Sequence, residues 1–218
     1  IEQQGRVIGP VAKRDRFDYD QLEDASSLRL DFDVTLQSPK RYLLPESEPI
    51  VRFDEEGRYT SVSDVEPLVL FGVHPYDTVA IRQMDEIFQA DNYDCHYMAR
   101  RKNATVVTCD VQAASPNVFA ACMGTATVNE GYDVLLTRVG DDYLVEAATE
   151  KGESLVKNIS GAGEADAVSL GRREQVWDDA KRLLKRHDLK CAPTDLPKVL
   201  DDALDHPVWE QRSEKCYS

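Results

Sequence analysis

The sequence predicts an α/β (or α+β) domain with a central mixed sheet, and two patterns lead to this prediction. A continuous apolar run, residues 67–73, is followed at once by apolar residues at three- and four-residue spacing, and then by a second apolar run, residues 104–108. A strand, a helix and a strand in this order form a βαβ unit with a right-handed crossover. Later, the strand-like segments 132–139 and 143–147 flank the turn residues 140–142, which predicts a hairpin.

The N-terminal part, residues 1–53, is predicted to contain short extended pieces separated by turns. Leu28 to Val34 alternates apolar and polar residues, which is typical of a half-buried strand. Ser38-Pro39 and Leu44-Pro45 break the segment that follows, because the residue before a proline is pushed out of helical geometry.

A helix is predicted to follow the first strand of the βαβ unit at once, with Asp77 as its candidate cap. After the hairpin, residues 168–187 predict a long helix with basic residues in its last turns, and residues 198–204 predict a short one. We therefore expect an α/β domain over residues 1–191 and a helical C-terminal linker over residues 192–218.

Composition narrows the class of partner. The formal net charge is −14, which argues against a nucleic-acid partner because phosphate binding needs a basic face. No apolar run approaches the roughly 18–20 residues that a transmembrane helix needs. The five cysteines are odd in number and widely spaced, which favours a reducing compartment, and hence the cytoplasm, over a disulfide framework.

Catalytic motifs are weak. Cys109 ends one predicted strand and His74 ends the neighbouring one, so the two side chains could meet at the carboxyl edge of the sheet, where α/β proteins place ligands. A buried cysteine and a hydrogen-bonded histidine with structural roles explain the same pattern. Residues 160–163 lack the third glycine of a phosphate-binding loop and fit a flexible connection better. No catalytic residue is assigned.

Four stretches, taken in order, carry a resemblance to a known family: 38–48 (SPKRYLLPESE), 70–77 (LFGVHPYD), 131–146 (beginning GYDVLLT and ending YLVE) and 207–218 (PVW, closing on KCYS). The chain resembles the iron–sulfur β subunit of cytoplasmic sulfhydrogenases and the corresponding iron–sulfur subunit of anaerobic sulfite reductase, which are 4Fe–4S dicluster proteins. The resemblance runs from about residue 5 to the end of the chain, and 71–77 and 209–216 are its most specific parts.

The resemblance implies that Cys216 is the first ligand of a ferredoxin-like segment that would continue beyond Ser218. A lone thiol near a chain end cannot hold a 4Fe–4S cluster, which needs four thiolates. On this view the sequence is truncated before its cluster segment, the 4Fe–4S clusters belong to that missing segment, and none lies within residues 1–218.

The departures from the family concern a second, internal set of cysteines. The family carries a cysteine at the position of Tyr76 and a Cys-Phe-Cys triplet where this chain has 118–120 (VFA). Of that set only Cys109 remains, and Cys122 stands where the family has Ser or Thr. The resemblance therefore implies that Cys109 is the remnant of an internal site that has lost its cluster.

We expect a non-catalytic electron-transfer or assembly subunit of an iron–sulfur redox complex of the hydrogenase, sulfite-reductase or heterodisulfide-reductase type. Its partners would be flavin-containing and catalytic subunits. The alternative is a flavin- or nucleotide-binding reductase with a site near His74 and Cys109. A third, weaker interpretation is a domain that senses a small molecule.

Overall fold

A six-stranded mixed sheet organises the molecule. The computed structural model describes residues 5–62, 65–91, 93–116, 118–157 and 159–215. Within these ranges the strands of the sheet are β1 (Arg6–Lys13), β2 (Arg16–Gln21), β5 (Leu68–Val73), β6 (Ala104–Cys109), β7 (Val134–Val139) and β8 (Asp142–Ala147). They lie side by side in the order β2-β1-β5-β6-β7-β8. The four central strands are parallel, and β2 and β8 are antiparallel edges. The predicted α/β class with a mixed sheet is confirmed.

The predicted βαβ unit is present. β5 leads into α1 (Pro75–Gln89), α2 (Cys95–Asn103) follows, and β6 pairs in parallel with β5. The predicted cap, Asp77, was wrong by three residues, since His74 is the N-cap and Pro75 is the first helical residue. Proline suits that position because its missing N–H has no partner in the first turn. Asp77 instead accepts a 2.9 Å hydrogen bond from the hydroxyl of Ser38.

The predicted hairpin is confirmed as β7 and β8. The two strands pair in antiparallel register from Val134 opposite Ala147 to Val139 opposite Asp142. Gly140 occupies the turn with φ +70°, a conformation that glycine adopts at little cost.

The helices that follow the hairpin are α3 (Glu150–Val156), α4 (Ala167–Leu183), α5 (Leu196–Asp202) and α6 (Val208–Ser213). The long predicted helix therefore exists but ends four residues earlier than expected, and the short one begins two residues earlier. α4 packs on β7, whereas α5 and α6 contain no buried residue. Among the described helices, none is both long and apolar enough to cross a bilayer.

The strand predicted at Leu28 to Val34 was wrong. This segment is irregular. The alternation in its sequence matches its burial only in part: Phe32 is buried and Arg29 and Asp31 are exposed and paired with each other, but Val34 is exposed as well. The edge of the sheet on that side is already formed by β2, so the segment crosses over the sheet and does not extend it.

The core has one layer on each face of the sheet. On one face, residues from β1, β5 and β6 pack against Ile81 of α1 and Tyr97 of α2. On the other face, Val69, Val107 and Val134 pack against Leu155 of α3. A separate two-stranded ribbon, β3 (Val51–Phe53) and β4 (Tyr59–Ser61), is exposed on both strands.

Candidate functional site

The candidate site lies at the carboxyl ends of β5 and β6. Val73 is paired with Thr108 across the two parallel strands. His74 comes directly after Val73 and Cys109 directly after Thr108, so the two residues lie at the ends of neighbouring strands. The predicted arrangement of the two strand ends is therefore confirmed, and the contacts of the two side chains decide what it can do.

His74 is enclosed by aromatic side chains. It is 1% exposed, and its ring stacks on Phe32 with 4.0 Å between centroids and 9° between planes. Its Nδ1 lies 2.6 Å from the hydroxyl of Tyr76, and that hydroxyl donates to the carbonyl oxygen of Asp33. Because Tyr76 has only one hydroxyl proton, the proton in the His74–Tyr76 hydrogen bond comes from Nδ1.

The same enclosure sets the charge of His74. Burial lowers the pKa of His74 to about 3, although a hydrogen bond to the backbone of Asp33 acts in the opposite direction. The ring is therefore neutral at physiological pH, and a base this weak takes up a proton from a nucleophile poorly.

Cys109 lies on the other face of the sheet. The hydroxyl of Thr108 meets that of Thr78 on α1 at 2.7 Å, and side chains alternate along a strand, so Cys109 points away from α1. Its sulfur lies 3.7 Å from Nε2 of Gln112. Cys109 is 1% exposed, and burial raises the pKa of its thiol to about 12. A neutral thiol of this kind is a poor nucleophile and a poor metal ligand.

The positions at which the resemblance implies lost cysteines lie together in one apolar cluster. Tyr76, Val118 and Ala120 are members of it, and Leu184 at the end of α4 is fully buried beneath them. The remaining members are Val111, Ala114, Ala121 and Ala126. Cys109 is not in this cluster, so the structure brings three of the four positions together and leaves the thiol outside.

A 4Fe–4S cluster does not fit the residues present at this position, because it needs four thiolates and the cluster of side chains supplies none. In the described part of the chain, no group of three or more His, Cys, Asp or Glu side chains is arranged to hold a metal ion. The thiol of Cys122, at 2.8 Å, donates to the carbonyl oxygen of Phe119. Cys216 lies outside the described residues.

Asp110, which sequence reasoning missed, is the polar residue best placed at this edge. It directly follows β6 and is 3% exposed. Its Oδ2 accepts hydrogen bonds from Oγ1 of Thr137 (2.6 Å) and Nε1 of Trp177 (2.9 Å), while Oδ1 has no partner in the described part of the chain. Burial raises the pKa of Asp110, against the effect of these two hydrogen bonds. The signal available in the sequence was an acidic residue immediately after a buried strand.

A cleft of about 610 Å³ opens beside Asp110, between the carboxyl edge of β6, the end of β7 and one side of α4. Its polar lining includes Gln112, Arg138, Asp179 and Arg182, and its apolar lining includes Val176 and Leu183. This is the position at which open α/β sheets bind ligands.

Comparison with known proteins finds a distant relative. The chain is similar to the beta subunit of sulfhydrogenase 2 from Pyrococcus furiosus, with 26% identity over 219 residues that cover 99% of this chain and 64% of the relative. The chain therefore spans less than two thirds of the relative's length. No family model matches the sequence, and no solved structure matches the chain. The chain is thus a distant relative of a sulfhydrogenase beta subunit.

Proposed function

We propose that this chain is a non-catalytic electron-transfer or assembly subunit of a cytoplasmic, multi-subunit iron–sulfur redox complex. The observation that carries the proposal is the apolar cluster of Tyr76, Val118 and Ala120, which occupies the internal site implied by the resemblance. A domain whose own site is filled with apolar side chains can still hold partner subunits in position.

The similarity to the sulfhydrogenase beta subunit supports the general class. It extends over 99% of the chain, so it covers the sheet, the candidate site and the C-terminal helices together. Partners under this proposal are flavin-containing and catalytic subunits of a hydrogenase, sulfite-reductase or heterodisulfide-reductase type of enzyme.

The cofactor of the proposed subunit is a 4Fe–4S pair in a segment that would follow Ser218, with Cys216 as its first ligand. Residues 192–218 would then link the α/β domain, residues 1–191, to that segment. The exposure of α5 and α6 supports a linking role, because neither helix buries a residue in the domain.

The alternative is a flavin- or nucleotide-binding reductase that uses His74 and Cys109. Such an enzyme needs both side chains open to its ligand, but each is only 1% exposed. They also lie on opposite faces of the sheet, since His74 stacks on Phe32 in the layer on the α1 face and Cys109 points away from α1. These observations favour the subunit over the enzyme.

The proposal is tested by purifying a tagged chain from its own cells under anaerobic conditions and measuring iron, sulfide and flavin across a gel-filtration profile. We expect the chain to elute in an assembly much larger than 24.5 kDa that carries iron–sulfur absorption. Elution of the chain alone, with bound flavin or with reductase turnover, would refute the subunit role.

A further inference from the structure

The cleft beside Asp110 has a chemical character of its own, independent of the proposed subunit role. It lies at the carboxyl edge of β6 and β7 and is closed on one side by α4. Neither His74 nor Cys109 lines it. Three features of its walls define what it can bind.

The first feature is an oxygen without a partner. Asp110 lines the cleft, and its Oδ1 is buried without a hydrogen bond in the described structure, while Oδ2 already accepts two. A buried polar atom of this kind costs free energy until it receives a donor. This carboxylate oxygen can accept a hydrogen bond from an N–H or O–H group.

The second feature is a cation without an acidic partner. Arg138 donates to the carbonyl oxygen of Gly140 at 3.0 Å and to Oε1 of Gln112 at 3.1 Å, and no ion pair with a carboxylate is found for it in the described ranges. By contrast, Arg182 is paired with Asp179, which also lines the cleft. Arg138 is therefore the guanidinium that is free to take a carboxylate, for which its planar set of donors is well suited.

The third feature is an apolar wall. Val111, Val176, Ala180 and Leu183 also line the cleft. A ligand that bridges Asp110 and Arg138 would lay its carbon skeleton against these side chains and bury apolar surface.

We propose that this cleft binds a small organic acid that carries an amino or hydroxyl group. The carboxylate binds Arg138, the amino or hydroxyl group donates to the carboxyl group of Asp110, and an aliphatic body packs on Val176 and Leu183. Amino acids and hydroxy acids with branched aliphatic side chains combine these three features.

Trp177 offers a direct reporter, because its indole N–H donates to the same carboxyl group. The chain has two tryptophans, so the Trp209→Phe variant leaves Trp177 as the sole source of indole fluorescence. The probes are L-leucine, its hydroxy analogue leucic acid, isocaproate, which has the same skeleton without the donor, and leucinamide, which lacks the carboxylate.

We expect a saturable change in Trp177 emission with leucine or leucic acid, at a dissociation constant of about 1 mM or tighter. Isocaproate and leucinamide should each bind about tenfold more weakly, because each lacks one of the two polar contacts. The Arg138→Gln variant should lose about tenfold in affinity, and so should Asp110→Asn.

The control is Arg186→Gln, which removes an exposed charge that does not line the cleft. Circular dichroism checks that each variant is folded. If Asp110→Asn does not fold, the test rests on Arg138→Gln, because Arg138 is exposed. The proposal is overturned if no saturable response occurs with leucine or leucic acid, or if Arg138→Gln and the control bind equally well.

Discussion

Nδ1 of His74 lies 2.6 Å from the hydroxyl oxygen of Tyr76 at the carboxyl end of β5. The Tyr76 hydroxyl also donates to the carbonyl oxygen of Asp33. One phenol therefore links His74, the N-cap of α1, to the irregular segment that contains Asp33. Its ring packs in the apolar cluster with Val118 and Ala120. Tyr76 thus closes the edge of the sheet at the position where the resemblance implies a cysteine ligand.

The first prediction concerns this hydroxyl. Tyr76→Phe should lower the free energy of unfolding by about 1–3 kcal/mol, because it removes the hydrogen bonds that the Tyr76 hydroxyl makes with the buried His74 and with the carbonyl oxygen of Asp33. Chemical denaturation measures the change. The matched control is Tyr93→Phe, since Tyr93 is 61% exposed and should change stability by less than about 0.5 kcal/mol. Equal effects of the two substitutions would show that the hydrogen bonds of Tyr76 contribute nothing.

The second prediction concerns the pH dependence of stability. The pKa of His74 is about 3 in the folded protein and near the ordinary 6.5 when unfolded. Between these values the unfolded chain binds more protons, so the contribution of His74 to stability is complete above pH 6.5 and falls as pH drops towards 3. The slope should reach about 1.4 kcal/mol per pH unit.

The carboxyls of the half-buried Asp77 and the buried Asp110 act with the opposite sign, because desolvation raises the pKa of each and the folded state then binds more protons at acidic pH. Denaturation curves of the wild type and of His74→Asn, compared at each pH, cancel these shared effects. A difference between the two proteins that does not change from pH 7 to pH 4 would contradict a neutral, buried His74.

The third prediction concerns the contact between α3 and the sheet. Gly152 lies so close to β7 that an added Cβ would stand 1.9 Å from the carbonyl oxygen of Asp133. Gly152→Ala should therefore cost about 1–3 kcal/mol through forced displacement of the helix. Gly171→Ala in α4 has open space around it and should stabilise the protein by about 0.5–1 kcal/mol. Thermal denaturation of the two variants should give shifts of opposite sign, and a shared sign would refute the close packing.

The sequence was most informative where periodicity and neighbouring strands agree. The apolar runs of β5 and β6 predicted buried parallel strands, and both strands form as expected. The alternation at Leu28 to Val34 was misleading, because it does not tell whether a neighbouring strand is available for pairing, and its last apolar residue, Val34, is exposed. Helix α2 was missed, although Asp94 caps it and three basic residues occupy its last turn.

The site was less predictable than the fold. The carboxyl edge was identified through His74 and Cys109, whereas the cleft there is lined by Asp110 and Arg138. Which residue opens into a cleft depends on how α4 packs on β7 and on which face of the sheet each side chain takes, and the local sequence around Cys109 does not contain that information.

The fourth prediction concerns thiol reactivity. With a pKa of about 12, Cys109 has roughly one thiolate in ten thousand molecules at pH 8, and it is also buried. Alkylation of the native protein, mapped by mass spectrometry, should label the exposed Cys95 and leave Cys109 unlabelled until denaturant is added. If Cys109 were labelled as fast as Cys95, its thiol would be accessible, and this result would favour the alternative of a reductase that uses Cys109.

The central claim is that the internal site implied by the resemblance holds no iron–sulfur cluster. Its most direct test is the iron and acid-labile sulfide retained by residues 1–218 after anaerobic reconstitution and gel filtration, with a chain extended past Ser218 as the comparison. We expect no stoichiometric iron or sulfide in the 218-residue chain and a bound cluster in the longer one. Iron and sulfide retained stoichiometrically by the shorter chain, and lost on Cys109→Ser, would contradict the claim.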